Sequence, residues 1–156
     1  MKTKQTWQER LANDHGLPEV KPIPERMRKR AGLGTIVVPA PREVDALMRA
    51  VPKGRLTTIA ALAATLADQH DATIGCTVTT GIFAWTAAYA AEEREAAGQA
   101  RITPYWRVLK DGGVLNPKYP GGIANLRKRL EAEGHTVVSD GKHFRVADFE
   151  RKLAKP

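Results

Sequence analysis

Few residues of this chain have types and spacings that could make or break a covalent bond. Cys76 is the single cysteine, so an internal disulfide and a multi-cysteine metal site are both excluded. As a nucleophile it would need a neighbouring base or an electropositive niche to form the thiolate. It lies in a connection between two helical segments and reads as a small packed residue. His15, His70, His135 and His143 are scattered, with neither triad nor metal-ligand spacing. Glu133 and Asp111 are the carboxylates a base-excising hydrolase would have to use, and neither has a paired carboxylate at catalytic spacing. The stretch ITPYWRVLKDGG, Ile102 to Gly113, has the loop-like frame of a site but centres on Tyr105 and Trp106. A phenol with a reference pKa of about 10 is a poor nucleophile at neutral pH, and an indole offers no base. What such aromatic faces do well is stack on a flat partner, at ~1–3 kcal/mol per nucleobase.

The charge pattern points to what that partner is. The 156 residues carry a formal net charge of +8, which suits a polyanion. Residues 1–55 hold 12 Lys/Arg against 6 Asp/Glu, residues 56–100 hold 1 against 5, and residues 101–156 hold 12 against 6. Two basic blocks therefore flank an apolar, slightly acidic middle, and phosphate contacts are expected from the flanks. No apolar run approaches the ~18 residues of a membrane span. The charged start, MKTKQTWQERLANDHG, lacks the apolar centre of a signal peptide, so a protein of the cytoplasm or its nucleoid is expected. The length suits one domain with a substantial core.

The elements that must position these groups follow from periodicity and punctuation. Residues 1–40 read as an extension: a short helix over Thr6–Asn13 with Trp7 and Leu11 on one face, then a segment with prolines at 18, 22, 24 and 39 that favours extended connections. Arg26, Arg28, Lys29 and Arg30 read there as either a solvated basic face or a phosphate contact. Pro41 to Val51 is a helix, opened by Pro41 and broken by Pro52-Lys53-Gly54. Thr57 or Thr58 caps a helix over Ile59–Ala67, and Thr79 or Thr80 caps one from Gly81 to about Ala97. Two capped helices with a short connection suggest a helix-turn-helix. In the second helix Ile82, Trp85 and Tyr89 share one face, and Phe83, Ala87 and Ala90 another. Residues 112–122 read as loop, Ile123–Glu133 as a helix stopped by Gly134, and the alternating segments around Asp140-Gly141 as a hairpin. A short helix over Ala147–Leu153 closes the chain.

From Val51 to Gly134, four landmarks in order resemble the C-terminal domain of 6-O-alkylguanine-DNA alkyltransferases. VPKGRLTTIAALA, Val51 to Ala63, is similar to the family's VPxGxVTTYGxLA. PYWRV, Pro104 to Val108, occupies the slot of PCHRV. GGVLNPKYPGG resembles GxLxxYxGG, and RLEAEG resembles the end of LLxxEG. The resemblance implies a mostly α fold with a small β-hairpin: a winged-helix-like helix-turn-helix domain over 41–135, an N-terminal extension over 1–40, and a hairpin with a short helix over 136–156. It also implies a grip on the DNA minor groove, with a damaged base rotated into a pocket.

The chemistry departs from the pattern. Tyr105 stands in the place of the nucleophilic cysteine and Trp106 in that of the activating histidine. Only the glutamate persists, as Glu133, and with neither partner nearby its expected job is structural. The chain thus resembles the alkyltransferase-like branch, in which the cysteine is lost and alkylated guanine is bound without repair. Ile59 and Pro120 take the places of a tyrosine and a serine that handle the target nucleotide, and Trp85 that of an inserted arginine. An aromatic can wedge into a base stack. What the resemblance implies is a non-enzymatic DNA-binding protein without cofactor or metal, whose partners are double-stranded, alkylated DNA and a repair-pathway protein. Its DNA- and base-binding set is Thr57, Thr58, Trp85, Tyr89, Tyr105, Trp106, Arg107 and Tyr119, with Tyr105, Trp106 and Tyr119 lining one pocket and Arg107 either touching DNA or bracing the loop. Two other readings stand beside it: an interaction module whose pocket those aromatics plug, and a hydrolase with different chemistry.

Overall fold

The computed structural model describes residues 5–154. Its first helix, α1 (Trp7–Ala12), is held by a capping box in which the Thr6 hydroxyl accepts from the Glu9 amide while the Glu9 carboxylate accepts from the Thr6 amide. Strand β1 (Glu19–Pro22), a 3-10 turn at Glu25–Met27, the single turn α2 (Arg28–Ala31) and strand β2 (Thr35–Val38) follow. The proline-rich segment is therefore not merely extended. β1 and β2 pair antiparallel, in the register Glu19↔Val38 to Pro22↔Thr35.

Helix α3 (Pro41–Arg49) starts where Pro41 suits the first turn and the Glu43 carboxylate accepts from the Ala40 amide at 2.9 Å. After β3 (Thr57–Thr58) comes α4 (Ile59–Gln69), capped by the Thr58 hydroxyl, which accepts from the Ala61 amide at 3.1 Å. Strand β4 (Ile74–Gly75) then pairs parallel to β2 and completes a sheet of order β1-β2-β4. At Gly75 a Cβ would sit 2.2 Å from the Ala63 carbonyl oxygen, so the strand passes against α4 too closely for any side chain.

Helix α5 (Thr77–Ala96) begins four residues before the expected start at Gly81. Cys76 is the N-cap, its sulfur accepting from the Thr79 amide at 3.5 Å, and Thr79 and Thr80 sit inside the first turn, where the Thr80 hydroxyl donates to the Cys76 carbonyl at 2.7 Å. Cys76 is half-buried, with its sulfur facing the Thr79 hydroxyl. Beyond the helix come a 3-10 turn at Tyr105–Arg107, strand β5 (Val108–Leu109) parallel to β3, helix α6 (Gly122–Ala132), and the hairpin β6 (Val137–Ser139) and β7 (Phe144–Val146). Asp140 forms the hairpin turn by accepting from the Lys142 and His143 amides. The expected closing helix is a 3-10 turn, Phe149–Lys152, after which Ala154 and Leu56 join the tail to the 51–58 turn.

The core joins Val44 and Met48 of α3, Leu62 and Leu66 of α4, Leu126 and Leu130 of α6, and an alanine face of α5 (Ala84, Ala87, Ala88, Ala91). Each buried Leu contributes about 1.5–3 kcal/mol. The alanines let α5 approach α3 and α4 closely, which fixes where the opposite face of α5 is presented. Among the described residues no helix is long and apolar enough to cross a membrane.

Candidate nucleic-acid interface

The PYWRV slot is a single 3-10 turn held between β5 and α6. Tyr105 is 1% exposed, and its hydroxyl accepts from Asn125 Nδ2 at 2.8 Å. Asn125 also donates to the Pro120 carbonyl at 2.9 Å and accepts from Arg129 Nε at 3.1 Å. Burial pushes the phenol above its ordinary pKa, outweighing the Arg129 charge and the Asn125 hydrogen bond. The Tyr105 oxygen is therefore neutral, enclosed and already bonded.

Trp106 has Glu133 as a partner, in a structural arrangement at the end of α6. Its Nε1–H donates to Glu133 Oε2 at 2.9 Å. Arg107 reaches the same carboxylate at 2.7 Å through Nη2 and at 2.9 Å through Nε, and donates to the Val51 carbonyl at 2.8 Å. The Gly54 amide adds a contact at 3.3 Å. Burial alone would raise the Glu133 carboxyl, but the bonds from Arg107, Trp106 and Gly54 outweigh it and hold it below the usual carboxylate range. Glu133 thus ties the 51–54 turn, the PYWRV turn and the end of α6 together. The Trp106 indole offers Glu133 only an N–H donor, so no proton can be accepted through it. Arg107 is spent on this brace and presents no guanidinium for DNA.

The expected single pocket of Tyr105, Trp106 and Tyr119 is divided. Tyr119 is 2% exposed and packs edge-on to Tyr105, ring centroids 6.1 Å apart. Trp106 packs edge-on to Tyr105 on another side, at 5.2 Å, and lines a separate groove with Arg49, Arg101 and Arg129. Arg129 lies over its ring at 4.7 Å. The rings of Tyr105 and Tyr119 fill the space that the resemblance assigns to a base.

An open cleft of about 770 Å³ lies beside that filled slot, between the N-terminal half of α5 and the loop after β5. Ile59, Trp85, Tyr89 and Tyr119 supply apolar and aromatic lining, Asn116 an amide, and Lys110 and Lys118 positive charge. Val78 and Ile82 stand at its lip, 72% and 53% exposed. Trp85 and Tyr89 come from one face of α5, as their spacing predicts, but neither is a free wedge. Trp85 Nε1–H and the Tyr89 hydroxyl both donate to the Lys118 carbonyl, at 3.2 and 2.9 Å. Trp7 of α1 packs on both, centroids 4.8 and 4.9 Å away, and Glu93 caps α1 by accepting from the Trp7 and Gln8 amides. Thr57 is buried in β3 and Thr58 is committed to capping α4.

Of the eight expected site residues, the structure brings Trp85, Tyr89 and Tyr119 to one cleft, puts Trp106 on another surface, and uses Thr57, Thr58, Tyr105 and Arg107 internally. Lys110, Lys118, Asn116 and Val78 went unnoticed. Their sequence signal was two lysines bracketing a loop otherwise rich in glycine and proline. Among the described residues no group of His, Cys, Asp or Glu could hold a metal ion.

The arrangement of α4, β4 and α5 with the PYWRV turn and α6 can be set beside solved structures. The crystal structure of S. pombe Atl1 in complex with damaged DNA containing O6-carboxymethylguanine superposes with a TM-score of 0.52, at 15% sequence identity, covering 74% of this chain and 94% of that one. The fold is the alkyltransferase-like helix-turn-helix fold. No protein-family model matches the sequence, and no curated protein matches it. On this alkyltransferase-like frame α5 is the second helix of the helix-turn-helix, and the cleft opens along it.

Proposed function

We propose that the protein binds duplex DNA and recognises an alkylated base without taking up the alkyl group. The observation that carries the reading is the cleft on the second helix of an alkyltransferase-like fold. Its aromatic lining offers a stacking surface at ~1–3 kcal/mol per base, which offsets part of the few kcal/mol needed to unstack a nucleotide. Lys110 and Lys118 at its edge suit the phosphates on either side of that nucleotide. The absence of transfer follows from Tyr105: alkyl uptake needs an activated nucleophile, and this phenol is buried, neutral and hydrogen-bonded to Asn125. The extruded base goes to the open cleft rather than to the slot that Tyr105 and Tyr119 occupy.

The filled slot itself favours a second reading, an interaction module that keeps the fold and reads no lesion. One titration separates the two. Fluorescence anisotropy with plain duplex, duplex carrying an O6-alkylguanine, and the matching single strands should show tighter binding of the lesion duplex. Ile82→Asp at the cleft lip should remove that preference. Equal affinities for lesion and plain duplex would refute lesion recognition and leave the interaction module.

A further inference from the structure

The β1–β2 hairpin carries a concentration of charge that the cleft does not use. Between Pro22 and Thr35 the chain makes a tip that holds Arg26, Arg28, Lys29 and Arg30, all exposed, with Glu25 the one acidic residue among them. None of the four forms an ion pair among the described residues. Arg28 Nε touches the Ile23 carbonyl at 3.3 Å, which steadies the base of the tip and leaves the rest of the guanidinium outward. Beyond them Leu33, between Gly32 and Gly34, is 79% exposed.

A basic tip on a loose arm would be an ordinary solvated face. This one is fastened to the helix-turn-helix. β2 pairs with β4, the strand that joins α4 to α5. Thr35 and Thr73 exchange bonds twice: the Thr73 amide donates to the Thr35 carbonyl at 3.0 Å, and the Thr35 amide to the Thr73 hydroxyl at 3.0 Å. The Cys76 amide, at the cap of α5, donates to the Val37 carbonyl at 2.9 Å. Gly34, at φ +140°, leaves the tip so close to Thr73 that a Cβ would lie 2.2 Å from its hydroxyl oxygen. From Thr73 to the first residue of α5 is four residues, about 13 Å at ~3.3 Å each. The base of the tip, at Gly34 and Thr35, is thus fastened beside the segment that leads into α5, and the four cations lie on the tip beyond it.

We propose that this hairpin is a second DNA-contacting element, a basic wing that grips the phosphate backbone beside the segment met by α5. The inference rests on the DNA-binding reading above and adds a surface to it. The wing contributes affinity and register, and the cleft contributes lesion preference.

The test compares wild type with a full-length quadruple variant, Arg26→Gln, Arg28→Gln, Lys29→Gln and Arg30→Gln. A charge-matched control carries Arg127→Gln, Lys128→Gln, Arg151→Gln and Lys152→Gln. Affinities for plain and lesion duplex are measured between 50 and 200 mM salt. Each phosphate contact contributes ~0.9 to the slope of log affinity against log salt. Loss of the wing should therefore lower that slope by roughly 3 to 4. A fourfold rise in salt then weakens wild type roughly 100-fold more than the variant, and the ratio of lesion to plain affinity stays the same. A slope equal to wild type overturns the wing, as does an equal fall in the control, which would mark a general charge effect. If wild type shows no lesion preference, the lesion reading fails, while the slope comparison on plain duplex still decides the wing. No DNA affinity at all sinks both.

Discussion

Replacing Glu133 tests the brace on which the rest of the site depends. Its side chain is 7% exposed and that of Arg107 is 13% exposed, so Glu133→Ala leaves a largely buried guanidinium unpaired. Breaking a buried pair by removing one partner costs about 3–5 kcal/mol. The Trp106 indole and the Gly54 amide lose their acceptor as well, but the end of α6 lies close enough to solvent for water to replace some of these bonds, so the expected loss is about 3 kcal/mol. At ~2–4 °C per kcal/mol for a chain of this size, the melting temperature should fall by roughly 6–12 °C. Glu133→Gln keeps one acceptor oxygen and should lose about 1–2 kcal/mol. The double change Arg107→Met, Glu133→Leu removes both charges and should recover much of the loss. Urea and thermal denaturation followed by circular dichroism read all three. A loss below about 1 kcal/mol for Glu133→Ala would refute the brace. The carboxyl is held below its unfolded value, so its contribution is complete above about pH 4.5 and disappears as pH falls through the lower folded value. Glu133→Gln should therefore flatten the acid limb of the stability curve.

Tyr105→Cys alone should yield no alkylated protein by intact mass after incubation with lesion duplex, because Trp106 supplies no base; one added alkyl group would contradict this. Tyr105→Phe should lose about 1 kcal/mol with the Asn125 bond, whereas Tyr105→Ala should lose about 3–5 kcal/mol by opening a cavity; equal losses would mean the ring is not packed as described. His135 is buried, its Nε2 has no hydrogen-bond partner among the described residues, and burial pulls its pKa down. The unfolded chain then binds a proton that the fold refuses, so stability should fall as pH drops below about 6.5. His135→Phe should remove that slope between pH 7.5 and 5.5 in urea titrations, and an unchanged slope would place its cause elsewhere.

Local signals made much of this architecture readable. Pro41, Thr58 and Asp140-Gly141 mark a helix start, a helix cap and a hairpin through bonds made within a few residues. The β1-β2-β4 sheet was hidden for the opposite reason. All four β1 residues are exposed, so no apolar alternation betrays the strand, and β4, the other partner of β2, is distant in sequence. The early start of α5 was missed because Thr79 and Thr80 are good caps, while a cysteine sulfur is a weak one. At the site, residue types alone show that Tyr105 and Trp106 are poor nucleophile and base. They did not disclose that the two rings part company, one into the core and one toward Arg129, because that depends on Asn125 and Glu133 reaching in from α6. Trp85 and Tyr89 shared a face as their spacing required, but their tie to the Lys118 carbonyl is long-range.

Native mass spectrometry of the protein mixed with a duplex bearing one O6-alkylguanine tests recognition without transfer in a single experiment. The account predicts a one-to-one complex that separates, on denaturation, into a protein of unchanged mass and an oligonucleotide that retains its alkyl group. A protein heavier by that group, or no complex at low ionic strength, would contradict it.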